Sequence, residues 1–287
     1  MPFILKSLTK ETLNSAVLEK YTKLKLSLFI FPFLLLLSLL VFLYSENSLN
    51  VINYIEIQKN YFYLINAQLS QFPSIIYNLT QFGDALVFFS LLTPLIIYIP
   101  KIWEALLSSS IVSLILSKVL KDIFSVPRPA KIYDINSFKI VGEKLSGYNS
   151  LPSGHAITIF CTLTVLLFAF VPKKFYSKIA WTILIILLGS ALSLTRVGVG
   201  AHHPIDVFTG GIIGYISGLS GIFISIKYKI WTWINYKKYY PVFILLFLIC
   251  GVILITKINA KNLPIFYFAL AGLLFSLYKI IYVYIKK

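Results

Sequence analysis

The feature that most constrains this chain is the stretch from about Leu26 to Tyr44, an apolar block without a single Asp, Glu, Lys or Arg. A run of roughly 18 or more such residues is long enough to cross a hydrocarbon core. Comparable blocks recur to the end of the sequence, at 83–100, 103–123, 153–171, 179–195, 205–226, 241–256 and 264–284, which makes eight expected spans. Only 13% of the residues are charged and mean hydropathy is +0.85; a water-soluble domain usually carries about a quarter charged residues. The first block is long, and no small-residue cleavage pattern follows it at 45–51, so we read it as an uncleaved span. The expected fold class is all-α, a polytopic membrane helix bundle.

The net charge of +16 raises the question of nucleic acid. The lysines answer it, because they cluster in short segments between apolar blocks, as topology signals do. No nucleic-acid partner is expected. Strict alternation of eight spans places both termini on one side, together with sixteen of the 26 basic residues, and the positive-inside bias makes that side cytoplasmic. The segment 45–82 is nearly uncharged and aromatic and is expected to hold interfacial helices. The lysine-rich stretch 1–25 suits one amphipathic surface helix. Cys161 and Cys250 sit inside apolar blocks and read as small core residues.

The chain has three histidines, His155, His202 and His203, and two arginines, Arg128 and Arg196; lysine supplies all its other basic groups. A planar guanidinium binds phosphate oxygens bidentately, which an ammonium cannot do. All five residues fall between 128 and 203. On the expected topology Lys121 and Arg128 lie at the outer end of the third span and His155 opens the fourth. Arg196 closes the fifth, and His202 and Asp206 open the sixth. Every one sits at the same membrane face, so four helices converge on one cationic pocket.

Local chemistry at these positions suits an anion. Pro152-Ser153-Gly154-His155 begins a helix whose free N–H groups and dipole attract negative charge. Ser153 is in capping range, and Gly154 permits close approach. His202 and Asp206 are spaced i, i+4 and, if helical, share a face, with Pro204 between them. His203 reads as pocket lining. Lys118, Lys131, Lys139 and Lys144 read as a solvated rim, Asp122 and Asp134 as solvated carboxylates, and Gly198, Gly200, Gly210 and Gly211 as turning and helix-packing positions. No cysteine or carboxylate cluster accompanies the histidines, so no metal is expected.

Three stretches, Lys121-Asp122-Ile123-Phe124-Ser125-Val126-Pro127-Arg128-Pro129, then Pro152-Ser153-Gly154-His155, then Thr195-Arg196 with His202 and Asp206, resemble the signature motifs of the type 2 phosphatidic acid phosphatase superfamily. The resemblance covers about 83–226. It implies a phosphatase core within 26–226, flanked by the basic segment 1–25 and a C-terminal pair of spans in 227–287. It also implies that His202 attacks phosphorus to form a phosphohistidine, that Asp206 orients it, and that His155 is the general acid. Lys121, Arg128, Ser153, Gly154 and Arg196 would hold the phosphoryl oxygens, without metal or other cofactor. Thr195 departs from the serine that the pattern prefers but keeps a hydroxyl.

The expected partners are the bilayer and a membrane lipid phosphate: undecaprenyl pyrophosphate, phosphatidic acid, phosphatidylglycerol phosphate or lipid A. The expected setting is a bacterial inner membrane with the site facing outward. A phosphotransferase using the same phosphohistidine is an alternative. A non-enzymatic lipid transporter is a further one, although transporters place ionisable groups near the bilayer midplane. Oligomeric state is not legible.

Overall fold

The computed structural model describes residues 10–286. Among these residues there is no strand; thirteen α-helices run in order, α1 Lys10–Thr22, α2 Ile30–Ser45, α3 Val51–Leu69, α4 Pro73–Thr80, α5 Ala85–Leu92, α6 Pro94–Tyr98, α7 Pro100–Phe124, α8 Pro129–Ile132, α9 Gly154–Ala169, α10 Phe175–Gly198, α11 Pro204–Tyr228, α12 Tyr240–Lys261 and α13 Pro264–Ile285. Six stretches are long and apolar enough to cross a membrane: Leu26–Ser45, Pro100–Ile132, Phe175–Gly198, Pro204–Tyr228, Lys237–Lys261 and Pro264–Ile285. The chain is an integral membrane protein with an all-α, polytopic bundle.

Two of the eight expected spans take a different form. The block 83–100 is not one helix but α5 and α6, separated at Thr93-Pro94. A proline inside a helix lacks the N–H for the ladder and clashes with the preceding turn, so the helix breaks there. The break sits against α13, and the Thr93 hydroxyl links the two. Thr93 Oγ1 donates to Ser90 O at 2.7 Å and to Gly272 O at 3.2 Å, and Ser276 Oγ donates to Thr93 Oγ1 at 2.9 Å. Just before it, α4 and its following turn meet α5 at a bend of 76°. The block 153–171 forms α9, whose 16 residues span only about 24 Å. This helix is surrounded by α7, α10 and α11 instead of lipid, and most of its residues are buried.

The centre of the bundle is the packing of α9 on α11. Their axes approach closely because Gly210, Gly214 and Gly218 present no side chain to α9. A Cβ on them would lie 2.7, 2.6 and 2.7 Å from the carbonyl oxygens of Ser153, Ile157 and Cys161. Small residues at this spacing let helix backbones meet where lipid offers no hydrophobic drive. The contact fixes the start of α9 against the start of α11, where the motif residues lie.

Polar contacts tie the opposite end of the bundle together. Lys101 N–H donates to Asn14 Oδ1 at 2.9 Å, Asn235 Nδ2 to Glu104 Oε1 at 2.9 Å, and Lys237 Nζ to Lys286 O at 2.5 Å. Thus α1, the start of α7, the turn before α12 and the end of α13 share one end. The described part of the expected N-terminal surface helix, α1, buries Val17 and Tyr21 against Ile102, Ala105, Val165 and Ile222; residues 1–9 lie outside the described residues. Two ion pairs, Lys257 with Asp84 and Lys261 with Glu143, pin the far end of α12 beside the α4–α5 bend. The segment 45–82 is helical, as α3 and α4, but α3 buries one face, Tyr54, Ile55, Gln58, Phe62 and Asn66.

The glycine contact yields a stability test. Gly214→Ala places a methyl 2.6 Å from a backbone oxygen that cannot rotate away, and overpacking of this kind costs about 1–3 kcal/mol. Gly251→Ala on α12 meets nothing closer than 3.6 Å. Thermal melts in detergent should show a clear loss of melting temperature for the first variant and none for the second.

Candidate active site

Each motif residue reaches its position through local structure that its neighbours dictate. At the end of α7, Ser125 adopts the left-handed conformation, φ 45° and ψ 38°, and stops the helix. Prolines at 127 and 129 then keep the chain extended. The extended piece pairs with the segment before α9, Arg128 N–H donating to Gly147 O at 2.8 Å and Ser150 N–H to Val126 O at 2.9 Å. After α10, Gly200 takes φ +77°, and Ala201 and His202 N–H groups fold back onto Arg196 O at 3.0 and 3.3 Å. Ser153 N–H donates to Asp206 O at 2.9 Å. The three stretches are thereby stitched together by their backbones.

Asp206 is the hub. Its side chain is fully buried, three residues into α11 after the N-cap His203, and it accepts the His203 backbone N–H at Oδ2, 2.9 Å. Ser150 Oγ donates to the same oxygen at 2.5 Å, and Tyr54 OH donates to Oδ1 at 2.7 Å. His202 Nδ1 lies 3.6 Å from Oδ2 and 3.4 Å from Ser150 Oγ. The i, i+4 expectation therefore needs a correction. Pro204 starts the helix, so His202 lies outside it, and the two residues meet because the capping turn folds His202 back over Asp206.

Beyond the imidazole lies the cationic wall. Arg128 Nη1 donates to Ala201 O at 3.1 Å and stands 3.2 Å from His202 Nε2, while its Nε donates to Asn149 Oδ1 at 2.7 Å. A guanidinium only donates, so Nε2 carries the lone pair and the ring proton sits on Nδ1, toward Asp206. Arg196 Nη1 donates to Thr80 Oγ1 at 2.9 Å, and its buried Nε has no partner among the described residues. Lys121, Arg128, Arg196, His155 and His202 lie within electrostatic range of one another. Lys121 Nζ would be 3.3 Å from a Cβ at Gly154, and His155 packs on Gly83 so closely that a Cβ there would sit 2.4 Å away. Lys121, Gly154 and His155 are partly exposed and form the mouth; His202, Asp206 and Ser153 lie behind it, buried.

All eight residues singled out in the motifs are therefore grouped at one end of the bundle. Two expectations change in detail. Ser153 is the N-cap of α9, but its hydroxyl makes no capping bond; Oγ is buried and has no partner among the described residues. His203 does not line the pocket. It is wholly buried behind it, its Nε2 3.2 Å from Pro127 O and its ring against Phe62 and Tyr133. Lys118, Lys131, Lys139, Lys144, Asp122 and Asp134 are exposed. Tyr54, Thr80, Asn149 and Ser150 were not foreseen. Ser150 and Asn149 immediately precede the second motif, and Tyr54 and Thr80 are polar residues in a segment read only for its apolar character.

Burial pushes the His202 imidazole from its ordinary 6.5 down to about 3, against the opposing pull of Asp206. The folded protein thus declines a proton that the unfolded chain accepts. That contribution to stability is complete above 6.5 and is lost as the pH falls from 6.5 toward 3. Melting temperatures measured from neutral pH down to about 4 should fall less steeply for His202→Gln than for the wild type.

Comparison with known proteins adds a family to this geometry. Residues 101–231 match the model of the PAP2 superfamily. The undecaprenyl-diphosphatase of Sulfolobus acidocaldarius is 32% identical over 163 residues, 55% of this chain and 74% of that protein. The bacitracin transport permease protein BcrC of Bacillus licheniformis is 31% identical over 110 residues, 38% of this chain and 48% of that protein. The lipid A 1-phosphatase of Rhizobium etli is 31% identical over 121 residues, 41% of this chain and 48% of that protein. The chain thus spans about half the length of the last two. The crystal structure of Aquifex aeolicus LpxE is 27% identical, with a TM-score of 0.48, and covers 58% of this chain and 95% of that one. With its three motifs gathered at one bundle end and a relative matched over most of its length, the chain belongs to the PAP2 superfamily.

Proposed function

We propose that this protein is a membrane lipid phosphatase that hydrolyses a phosphomonoester or pyrophosphate of a lipid through a phosphohistidine on His202. One observation carries the reading: His202 offers Nε2 to a wall of guanidinium groups while its Nδ1 faces a buried carboxylate. That is the arrangement a nitrogen nucleophile needs, since the carboxylate fixes the tautomer and offsets the positive charge that grows on the ring.

In the resting site Arg128 Nη1 occupies the Nε2 lone pair. An arriving phosphate draws the guanidinium to its own oxygens and frees the nitrogen. Arg196 Nε and Ser153 Oγ, both unpartnered and buried, supply further donors, with Lys121 at the mouth. Nε2 then attacks phosphorus as the bond to the leaving oxygen breaks, and His155 delivers a proton to that oxygen. In the second half His155 takes a proton from water, the hydroxide attacks phosphorus, and the P–N bond breaks to release phosphate. The chain's own cations meet the charge that develops on the equatorial oxygens.

The relatives' names point to two substrate classes, a polyprenyl pyrophosphate and the 1-phosphate of lipid A; both present a phosphate at the membrane surface with the tail in the bilayer. The positive-inside bias of the lysines supports a reading in which α1 and the end of α13 face the cytoplasm and the site opens on the outer face; a bacterial inner membrane is the setting proposed for it.

Purified His202→Ala should insert and melt like the wild type yet lose phosphate release by roughly a thousandfold or more. Unchanged release would end this reading. Orthovanadate, which adopts five-coordinate geometry, should inhibit the wild type. Labelled phosphate recovered in a second lipid, not in water, would convert the hydrolase into a phosphotransferase. Arg128→Lys keeps the charge but loses the fork that holds Asn149 and Ala201, and should lower kcat/KM by about a hundredfold.

A further inference from the structure

The hub carboxylate is also held by a helix that carries no signature motif. α3 precedes the region matched to the superfamily, and its buried face carries Tyr54, Gln58, Phe62 and Asn66, each four residues from the next and so on one side of the helix. The polar members of that face all reach the turn bearing His202. Tyr54 OH donates to Asp206 Oδ1 at 2.7 Å. Gln58 Oε1 accepts the Ile205 N–H at 2.9 Å, and its Nε2 donates to Tyr54 O at 2.8 Å. Asn66 Nδ2 donates to Gly198 O at 2.9 Å and Val197 O at 3.2 Å.

The two oxygens of Asp206 are served unequally. Oδ2 accepts the Ser150 hydroxyl and the His203 N–H and faces His202 Nδ1, whereas Oδ1 is given one side-chain donor, the Tyr54 phenol. A carboxylate pinned at one oxygen only can rotate about its Cβ–Cγ bond; a donor at each oxygen fixes the plane. We infer that Tyr54 is a positioning residue of this site, whose phenol sets the plane of the Asp206 carboxylate and, through it, the tautomer and aim of the His202 ring. The inference rests on the proposed reading of His202 as nucleophile. Burial and the neighbouring carboxylate hold the phenol in its protonated form, so it remains a donor throughout the working pH range.

The consequence is a pH signature. His202 is faced by Lys121 of α7 and Arg128 just beyond it, His155 of α9, Arg196 of α10, Asp206 of α11 and, through that carboxylate, Tyr54 of α3. Removing the phenol donor leaves a more basic carboxylate, which pulls harder on the ring proton and raises the pKa of His202. The acid limb of the pH–rate profile then moves to higher pH.

The test uses the full-length protein in detergent, with farnesyl pyrophosphate and dioctanoyl phosphatidic acid as probes. Tyr54→Phe should lower kcat by about 10–100-fold, as loss of an outer-shell partner does, with KM within about twofold and the acid limb raised by roughly half a unit or more. Tyr63→Phe, on the same helix as Tyr54, removes a phenol bonded instead to Ser137 of the segment after α8 and should change neither. Placing 3,5-difluorotyrosine at position 54 keeps the ring while strengthening the donor, and should move the acid limb the opposite way from Tyr54→Phe. An acid limb unmoved by both Tyr54 replacements would overturn the inference, even if activity fell. Full phosphate release by His202→Ala is a different outcome: it removes the reading of the nucleophile, whatever position 54 does.

Discussion

Everything at this site follows from one burial: the Asp206 carboxylate, with no exposed surface, at the start of a membrane helix. A carboxylate withdrawn from water costs several kcal/mol unless it is matched by donors or charge. Three stretches of chain supply the match, since Tyr54, Ser150 and the His203 N–H come from α3, the segment before α9 and the α11 cap. The partial positive charge of the α11 N-terminus adds to it. What remains facing Asp206 Oδ2 is His202 Nδ1, 3.6 Å away, and the proposed mechanism rests on that pairing.

The same logic explains why the rest of the bundle is built as it is. The carboxylate and the α9 N-terminus can share one corner only if α9 and α11 approach to backbone contact, which the glycines at 210, 214 and 218 permit. The short α9 is tolerable because other helices, not lipid, surround it. The end of α4 and the turn after it deliver Thr80 to Arg196 and Gly83 beneath His155, and α13, with α12 behind it, packs on the broken α5–α6 span that follows. Lys257 of α12 holds Asp84 at the bend. The C-terminal pair thus shields an irregular span whose exposed backbone would be costly in lipid.

Much of this was legible in the residues. Long apolar blocks announced the bundle, and two arginines amid lysines pointed to the cluster found at one bundle end. The order Lys121, Arg128, His155, Arg196, His202 on alternate span ends placed that site at one face. Three things were not legible, for physical reasons. The break at Thr93-Pro94 lay inside a continuous apolar run, and hydropathy does not register a missing N–H. His202 and Asp206 met through a capping turn instead of a helix face, because Pro204 is a helix starter. Tyr54 and Ser150 carry no charge and stand outside the motif pattern, so their value appears only once Asp206 is seen to be buried; the i, i+4 spacing of Tyr54, Gln58, Phe62 and Asn66 was the one sign available beforehand.

The central claim is that phosphorus passes through a bond to His202 Nε2. Rapid quenching of the purified enzyme with ³²P-labelled lipid phosphate, followed by peptide mapping under alkaline conditions, tests it directly. The expected result is an acid-labile, base-stable label on the peptide containing His202, formed and discharged at rates that match turnover. Turnover without any labelled protein, or label on a residue other than His202, would contradict it.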